Sequence, residues 1–119
     1  HALKTGAMFR AACVTGALLA GASEKDVQML RDYGEALGVT FQIVDDILDE
    51  TADTATLGKP SGSDAAMGKT TYPSLIGLEQ SRELALKHAT QASETLAGCA
   101  GTDAAFLRGL AIMLVNRKN

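Results

Sequence analysis

The stretch that decides the fold is SEKDVQMLRDYGEALGVTFQIVDDILDE, residues 23–50. Its apolar residues recur alternately three and four positions apart, which is the spacing that places side chains on one face of an α-helix. Ser23 can cap the first free amides of that helix, and Asp26 stands three positions later, as in a capping box. The sequence therefore predicts a long helix ending near Glu50, with a core-facing stripe of Val27, Leu30, Gly34, Leu37, Phe41, Val44 and Leu48.

The rest of the chain also has helical spacing, interrupted by a loop rich in glycine and serine over residues 51–71. Residues 2–20 are rich in alanine and glycine, which lowers helix propensity but permits close helix packing, so we expect this first helix to be buried. Pro73 suits the first turn of a third helix that reaches about Ala97, and Thr102 can cap a short fourth helix. The fold class expected is all-α. The residues expected to face inward on the last two helices are Leu75, Leu78, Leu84, Ala85, Ala89, Ala92, Leu96, Phe106, Leu110, Met113 and Leu114.

Composition excludes several classes of protein. The chain has 119 residues and is 46% hydrophobic, which indicates a packed domain rather than a disordered one. Its net charge is −3 and it has no basic block, which argues against binding to nucleic acid or to an anionic membrane. Residues 11–23 are the longest uncharged stretch, too short to span a bilayer. Cys13 and Cys99 are far apart in sequence, so we expect two reduced, buried thiols in a cytoplasmic protein.

Three acids, Asp45, Asp46 and Asp49, crowd the last turns of the long helix. The helix dipole disfavours acids there, at about 0.3–1 kcal/mol each on a surface, so a purely structural helix would carry lysine or arginine. Asp45 and Asp49 share one face, and Gln42 lies one turn before Asp45. Clustered carboxylates that share an ion with phosphate oxygens are what Mg²⁺ prefers. The pattern predicts a Mg²⁺ and phosphate site, and a solvated acidic helix end is the alternative.

Other motifs in the chain are weaker. Residues 62–70, GSDAAMGKT, end like a phosphate-binding P-loop, but five residues separate the glycines where that motif has four, and no strand precedes them. The acidic run lacks the alternating spacing of a calcium-binding EF-hand loop. His88 is expected to face solvent on its amphipathic helix, so a nucleophile–histidine pair is disfavoured. Cations that can hold a phosphate beside the acids are Lys4, next to Thr5, and the loop residues Lys59 and Lys69.

Taken together, these residues resemble the short-chain trans-prenyl diphosphate synthases, in particular the bacterial farnesyl diphosphate synthase type. Residues 41–75, FQIVDDILDETADTATLGKPSGSDAAMGKTTYPSL, are similar to that family's second aspartate-rich region, and KTG at residues 4–6 is similar to its KTG segment. The resemblance implies the C-terminal helices of the isoprenoid synthase helical bundle, a homodimer, and Mg²⁺ as cofactor. The implied reaction joins isopentenyl diphosphate to an allylic diphosphate, dimethylallyl or geranyl, to give farnesyl diphosphate.

The resemblance also implies a role for each candidate site residue. Metal binding, directly or through water, is implied for Asp45, Asp46 and Asp49. Binding of the allylic diphosphate is implied for Lys4, Lys59 and Lys69. The residues that line the cavity near the reacting cation would be Thr5 and Gln42, and with Lys4 and Lys59 they form the implied catalytic set.

The family's first aspartate-rich motif has no counterpart in these 119 residues. We therefore expect the chain, residues 1–119, to be the C-terminal part of a single polyprenyl synthetase domain that needs its N-terminal part as a partner. Alone it should be inactive and unstable as a monomer. The alternatives are a geranylgeranyl diphosphate synthase, a non-catalytic helical subunit that regulates a partner synthase, and a terpene cyclase. The crowded acids disfavour the non-catalytic subunit, because such electrostatic strain needs a functional reason, and the KTG segment disfavours the cyclase.

Overall fold

The computed structural model describes residues 2–51 and 70–118, and the secondary structure in these two ranges is helical. The helices described are α1 (Ala2–Leu19), α2 (Glu24–Thr51), α3 (Tyr72–Ile76), α4 (Leu78–Thr95) and α5 (Thr102–Asn116). The expected all-α fold class is confirmed. Most of the predicted loop, with Lys59 and Lys69, lies outside the described residues.

Helix α2 is the central element, with α1 packed on one side and α4 and α5 on another. It begins as predicted, since the Asp26 amide donates a hydrogen bond to Ser23 Oγ over 3.2 Å. The predicted stripe is only part of its buried surface: Tyr33, Ile43 and Ile47 are buried as well. A helix enclosed from more than one side buries a wider arc than the single stripe of a surface helix.

The described core consists of two clusters along α2. The first joins α2 to α4 and α5, and the second joins the C-terminal half of α2 to α4. Small side chains line the α4 side, which lets α4 approach α2 closely. The first cluster contains Tyr33, Ala36, Leu37, Ala89, Ala92, Leu96 and Ala111, and the second contains Ile43, Val44, Ile47 and Ala85.

Tyr33 ties α2 to α5 through a buried hydrogen bond. Its hydroxyl donates to the main-chain oxygen of Leu107 over 2.7 Å, and its side chain is fully buried. Burial, with a smaller contribution from Cys13, raises the pKa of Tyr33 to about 12. The neutral hydroxyl is therefore the form that the fold requires.

Helices α1 and α2 meet at glycines. A Cβ atom on Gly38 would lie 2.9 Å from the Gly6 Cα, and one on Gly34 would lie 3.0 Å from the Arg10 Cα. Neither position has room for a side chain, so the predicted close approach of the first helix is confirmed. The expected burial of α1 holds for this face only, because Leu3 is 90% exposed and Leu19 is 84% exposed on the other side.

The predicted third helix is in fact two helices, α3 and α4, separated at Gly77. Gly77 has φ 86° and ψ 161°, a conformation that a residue with a Cβ rarely adopts. The N-cap of α3 is Thr71, which shares a reciprocal capping box with Ser74. Because α3 is short and peripheral, the predicted inward orientation of Leu75 is wrong, and its side chain is exposed.

The last helix also differs from its prediction. Gly101 is the N-cap of α5, without a side-chain hydrogen bond, and Thr102 is already helical. Phe106 and Met113, predicted to face inward, are exposed, whereas Ala111 is fully buried. Ala111 is the fully buried contact of α5, and Leu107, Leu110 and Leu114 pack against the same cluster partly buried. None of the described helices has the length and apolar character needed to cross a bilayer.

The two cysteines are free, as expected, but each is only half-buried. Burial raises the pKa of the Cys13 thiol, which keeps it protonated near neutral pH. The Cys99 thiol lies 3.5 Å from the Met29 sulfur. Beside it, Arg108 donates hydrogen bonds to the main-chain oxygens of Leu96 and Cys99 over 3.1 and 2.9 Å. Arg108 thus ties α5 to the turn that follows α4, where the Leu96 oxygen also accepts from the Cys99 amide over 3.0 Å.

Candidate functional site

The glycine contacts set the relative level of α1 and α2. Gly34 faces Arg10 and Gly38 faces Gly6, so the two helices run antiparallel, and the first turn of α1 lies beside residues 39–42 of α2. Continuing this register places Lys4 about half a helical turn before the level of Gln42. The KTG segment therefore lies beside residues 38–40 of α2, and the acidic turns of α2 continue past the level at which α1 begins.

Asp46 is held in internal hydrogen bonds. Its Oδ1 atom accepts from Gln42 Nε2 over 3.0 Å, and its Oδ2 atom accepts from the Tyr72 amide over 3.1 Å. The residue is only 5% exposed. Asp46 therefore joins the start of α3 to α2, and it orients the Gln42 amide. Both of its oxygens already have partners inside the chain. The role of Asp46 as a metal ligand stays a prediction.

Asp45 is arranged differently. Its Oδ1 atom accepts a hydrogen bond from Arg117 Nη2 over 2.6 Å, and the Arg117 guanidinium lies 4.6 Å from the centre of the Phe41 ring. The Asp45 side chain is 56% exposed and that of Arg117 is 24% exposed. Asp45 is thus an anchored carboxylate that solvent ions can still reach.

Sequence reasoning missed the partnership of Arg117 with Asp45. The helix dipole alone accounts for a cation after the last helix, because it favours positive charge at the C-terminal end. The sequence shows the basic pair Arg117 and Lys118 after the last helix. The local pattern does not indicate that Arg117 pairs with a residue 72 positions away.

Asp45, Asp46 and Asp49 differ in their suitability as ligands of Mg²⁺. Asp49 is 3% exposed, Asp46 is committed internally and Asp45 faces outward, so the three do not converge. Across residues 2–51 and 70–118, no group of three acidic, histidine or cysteine side chains has the geometry of a metal site. Mg²⁺ needs only one or two carboxylates when phosphate and water complete its shell. An ion shared with a phosphate thus needs fewer carboxylates than the three acids, and the role of Asp45 and Asp49, which share a face of α2, as its ligands stays a prediction.

The remaining candidate residues are placed as follows. Lys4 is exposed, whereas Thr5 and Gln42 are half-buried. Lys59 and Lys69 lie outside the described residues. His88, expected to face solvent, is half-buried on α4.

Desolvation, and to a lesser extent the positive charge of Lys87, lowers the pKa of His88. The neutral ring is therefore favoured at physiological pH, and His88 lines a shallow pocket with Asp32 and Glu35 of α2.

A cavity of about 520 Å³ lies between α2, α4 and the residues after α5. Its apolar lining comes from the side of α2 that faces α4, and its cations are Arg82, Arg117 and Lys118. Arg117 therefore stands between this cavity and Asp45.

Comparison with known proteins identifies the family. Residues 1–100 match the family model described as polyprenyl synthetase. The chain belongs to the polyprenyl synthetase family. It is 47% identical over 119 residues to geranylgeranyl pyrophosphate synthase 11, chloroplastic, of Arabidopsis thaliana. It is 51% identical over 98 residues to a chloroplastic geranylfarnesyl diphosphate synthase of Leucosceptrum canum.

Solved structures in this family have the same arrangement of helices. A polyprenyl synthase from Caulobacter crescentus, crystallised with calcium and isoprenyl diphosphate, superposes with a TM-score of 0.90 at 30% identity and covers 98% of this chain. A heptaprenyl diphosphate synthase from Staphylococcus aureus superposes with a TM-score of 0.93 at 21% identity, which supports the fold alone. The terpenoid synthase fold expected from the resemblance is confirmed.

These relatives refine several expectations for this polyprenyl synthetase chain. It covers 33% of the Arabidopsis protein, 27% of the Leucosceptrum protein and 47% of the Caulobacter chain, so it spans about a third of the curated relatives it matches. The names of these relatives agree with the geranylgeranyl alternative better than with the farnesyl product expected first. Neither a bacterial source nor a cytoplasmic location is confirmed, since the Arabidopsis and Leucosceptrum relatives are named as chloroplastic proteins.

Proposed function

We propose that the protein containing this chain is a Mg²⁺-dependent prenyltransferase, in which this chain provides the second aspartate-rich part of the active site. The reaction breaks the bond between the allylic carbon and its diphosphate oxygen. A new carbon–carbon bond then forms to isopentenyl diphosphate, which loses a proton. The observation that supports this proposal most is the antiparallel register, in which α1 begins, with the KTG segment in its first turns, on the half of α2 that leads to the acids.

The acidic residues of α2 have two different tasks in this proposal. Asp45 and Asp49 hold Mg²⁺ together with the diphosphate. The ion, when bound, stabilises negative charge on the departing diphosphate. Asp46 orients Gln42 instead: because Gln42 Nε2 donates to Asp46, the Oε1 atom is the end of the amide that can face a developing positive charge.

The lysines of the candidate site act on the diphosphate of the allylic substrate. Lys4, with Lys59 and Lys69, would neutralise negative charge on the allylic diphosphate, as the resemblance implies. The hydroxyl of Thr5, somewhat less than one helical turn before the level of Gln42, lines the cavity near the allylic carbon. Together these residues hold the diphosphate while its bond to carbon lengthens.

The proposed product is geranylgeranyl diphosphate, because relatives 47% and 46% identical over the whole chain carry that name. Farnesyl diphosphate is the competing product. The N-terminal part of the enzyme, with the first aspartate-rich motif, and a second copy of the enzyme in a homodimer are the proposed partners. Cytoplasmic location and homodimer formation stay predictions.

The test is the substitution Asp45→Asn in the full-length enzyme, assayed with labelled isopentenyl diphosphate and geranyl diphosphate at saturating Mg²⁺. Asparagine keeps the size of the side chain and can still accept from Arg117, but it loses the charge that binds the ion. We expect turnover to fall by about 10²–10³-fold, the range for one lost electrostatic contact in an active site. Wild-type turnover of Asp45→Asn would refute the assignment.

The matched control is Asp26→Asn. It removes the same charge from an exposed position in the first turn of the same helix, and it should leave turnover unchanged. Chromatography of the wild-type products decides their length. A predominantly farnesyl product would overturn the geranylgeranyl proposal while leaving the prenyltransferase proposal intact.

A further inference from the structure

We infer that Arg117 is a positioning residue for Asp45: it fixes the carboxylate in the orientation in which Asp45 binds Mg²⁺ and diphosphate. The inference deepens the proposed function and rests on it, since Asp45 must first be a metal ligand. It concerns a residue outside the aspartate-rich region and outside the KTG segment.

The backbone after α5 carries Arg117 to α2. Arg117 has φ −69° and ψ 153°, an extended conformation that ends the helix after Asn116. Its guanidinium then lies over the face of the Phe41 ring and reaches Asp45 Oδ1 at 2.6 Å. Phe41 and Asp45 are one turn apart on α2, so one flat side chain spans both contacts.

The ring beneath the guanidinium is itself held in place. Phe9 of α1 packs against Phe41, with ring centres 5.3 Å apart. A planar guanidinium can stack on an aromatic face while it donates in its own plane, which an ammonium group cannot do. The packing of α1 on α2 therefore supports the orientation of Arg117.

The burial of Arg117 shows that these contacts determine its position. Its side chain is 24% exposed, and its Nε atom is buried without a hydrogen-bond partner among the residues that the structure describes. An arginine on an open surface would keep that group in water, because burying an unpaired polar atom is unfavourable. The contacts with Asp45 and Phe41 must therefore compensate for this loss of hydration.

We expect the contact with Arg117 to hold the Asp45 carboxylate in one orientation. More than half of the Asp45 side chain is exposed, and an untethered exposed aspartate would sample several rotamers. Carboxylates that ligate metals are commonly fixed by such outer hydrogen bonds, and loss of these partners typically lowers metal affinity about 10–100-fold. Arg117 would then hold the Asp45 carboxylate in one orientation, as the hydrogen bonds from Gln42 and the Tyr72 amide hold the Asp46 carboxylate.

The experiment measures binding without turnover. Mg²⁺ is titrated calorimetrically into the full-length enzyme in the presence of inorganic diphosphate, and thermal unfolding is recorded for every variant. We expect Arg117→Gln to lower the apparent Mg²⁺ affinity about 10–100-fold. Arg117→Lys should lose part of that affinity, because it keeps the charge without the planar stack. The control Lys118→Gln removes the same charge from the exposed neighbour and should leave the affinity unchanged.

Asp45→Asn separates this inference from the proposed function. If Asp45→Asn leaves the affinity unchanged, the proposed role of Asp45 as a ligand is refuted. If Asp45→Asn weakens binding while Arg117→Gln leaves it unchanged, only the inference about Arg117 is refuted. A higher affinity in Arg117→Gln would also refute it, because Arg117 would then compete with the ion. If Arg117→Gln fails to fold, Arg117→Lys decides: reduced affinity supports the inference and wild-type affinity overturns it.

Discussion

Replacing Gly38 with alanine should weaken the packing that places α1 beside the acidic end of α2. The new Cβ atom would lie 2.9 Å from the Gly6 Cα, where unstrained carbon atoms stay about 3.5–4.0 Å apart. The obstructing atom belongs to the main chain, so no side-chain rotation can relieve the overlap. Helix α1 must therefore shift away by roughly 0.5–1 Å, the difference between these distances.

Two opposing effects set the magnitude for Gly38→Ala. Overpacking of this kind costs about 1–3 kcal/mol of the free energy of unfolding. Alanine in place of glycine inside a helix returns about 0.5–1 kcal/mol, because the unfolded chain loses less freedom on folding. The steric cost exceeds the gain, and we expect a net loss of about 1–2 kcal/mol.

Gly16→Ala and Gly109→Ala are the matched controls. Both glycines lie inside helices, and an added Cβ would meet no atom within 4 Å at either one. These variants should gain about 0.5–1 kcal/mol from helix propensity alone. Urea unfolding of the full-length protein, followed by circular dichroism, compares the three. Equal or greater stability of Gly38→Ala relative to both controls would refute the packing argument.

Two further predictions concern the hydrogen bonds that tie α5 to its neighbours. Tyr33→Phe should lower the free energy of unfolding by about 0.5–1.5 kcal/mol, the net contribution of one hydrogen bond, because the link from α2 to the main-chain oxygen of Leu107 is removed. In the wild type the pKa of Tyr33 is raised from its ordinary value of 10.0 to about 12, so its contribution is complete below about pH 10 and is lost as the pH rises toward 12. Urea unfolding at increasing pH should show this loss in the wild type, and an equal decline in Tyr33→Phe would contradict it. Arg108→Gln should cost about 1–3 kcal/mol by the same measurement, since a charged donor to two carbonyl groups is removed, and an unchanged urea midpoint would show that these bonds contribute nothing.

The sequence by itself determined the helices and their approximate boundaries. The spacing of apolar residues and the Ser23 cap predicted α2 to within a residue or two, because helix formation depends on hydrogen bonds between near neighbours in the chain. The small residues of α1 predicted its close contact with α2. The break at Gly77 was missed, since a glycine inside a helical pattern is often tolerated and only the packing of α3 and α4 shows the turn.

Only the tertiary structure decided that Asp45 and Asp46 have different hydrogen-bond partners. In the sequence, Asp45 and Asp46 are neighbours with the same chemistry, and the helical period separates them by only about 100°. In the fold, Asp46 meets the Tyr72 amide 26 positions further along the chain, whereas Asp45 meets Arg117 after 72 positions. Local spacing sets the direction in which a side chain leaves its helix. The group that it meets there depends on how distant helices pack, and that information is not contained in the pattern around the acids.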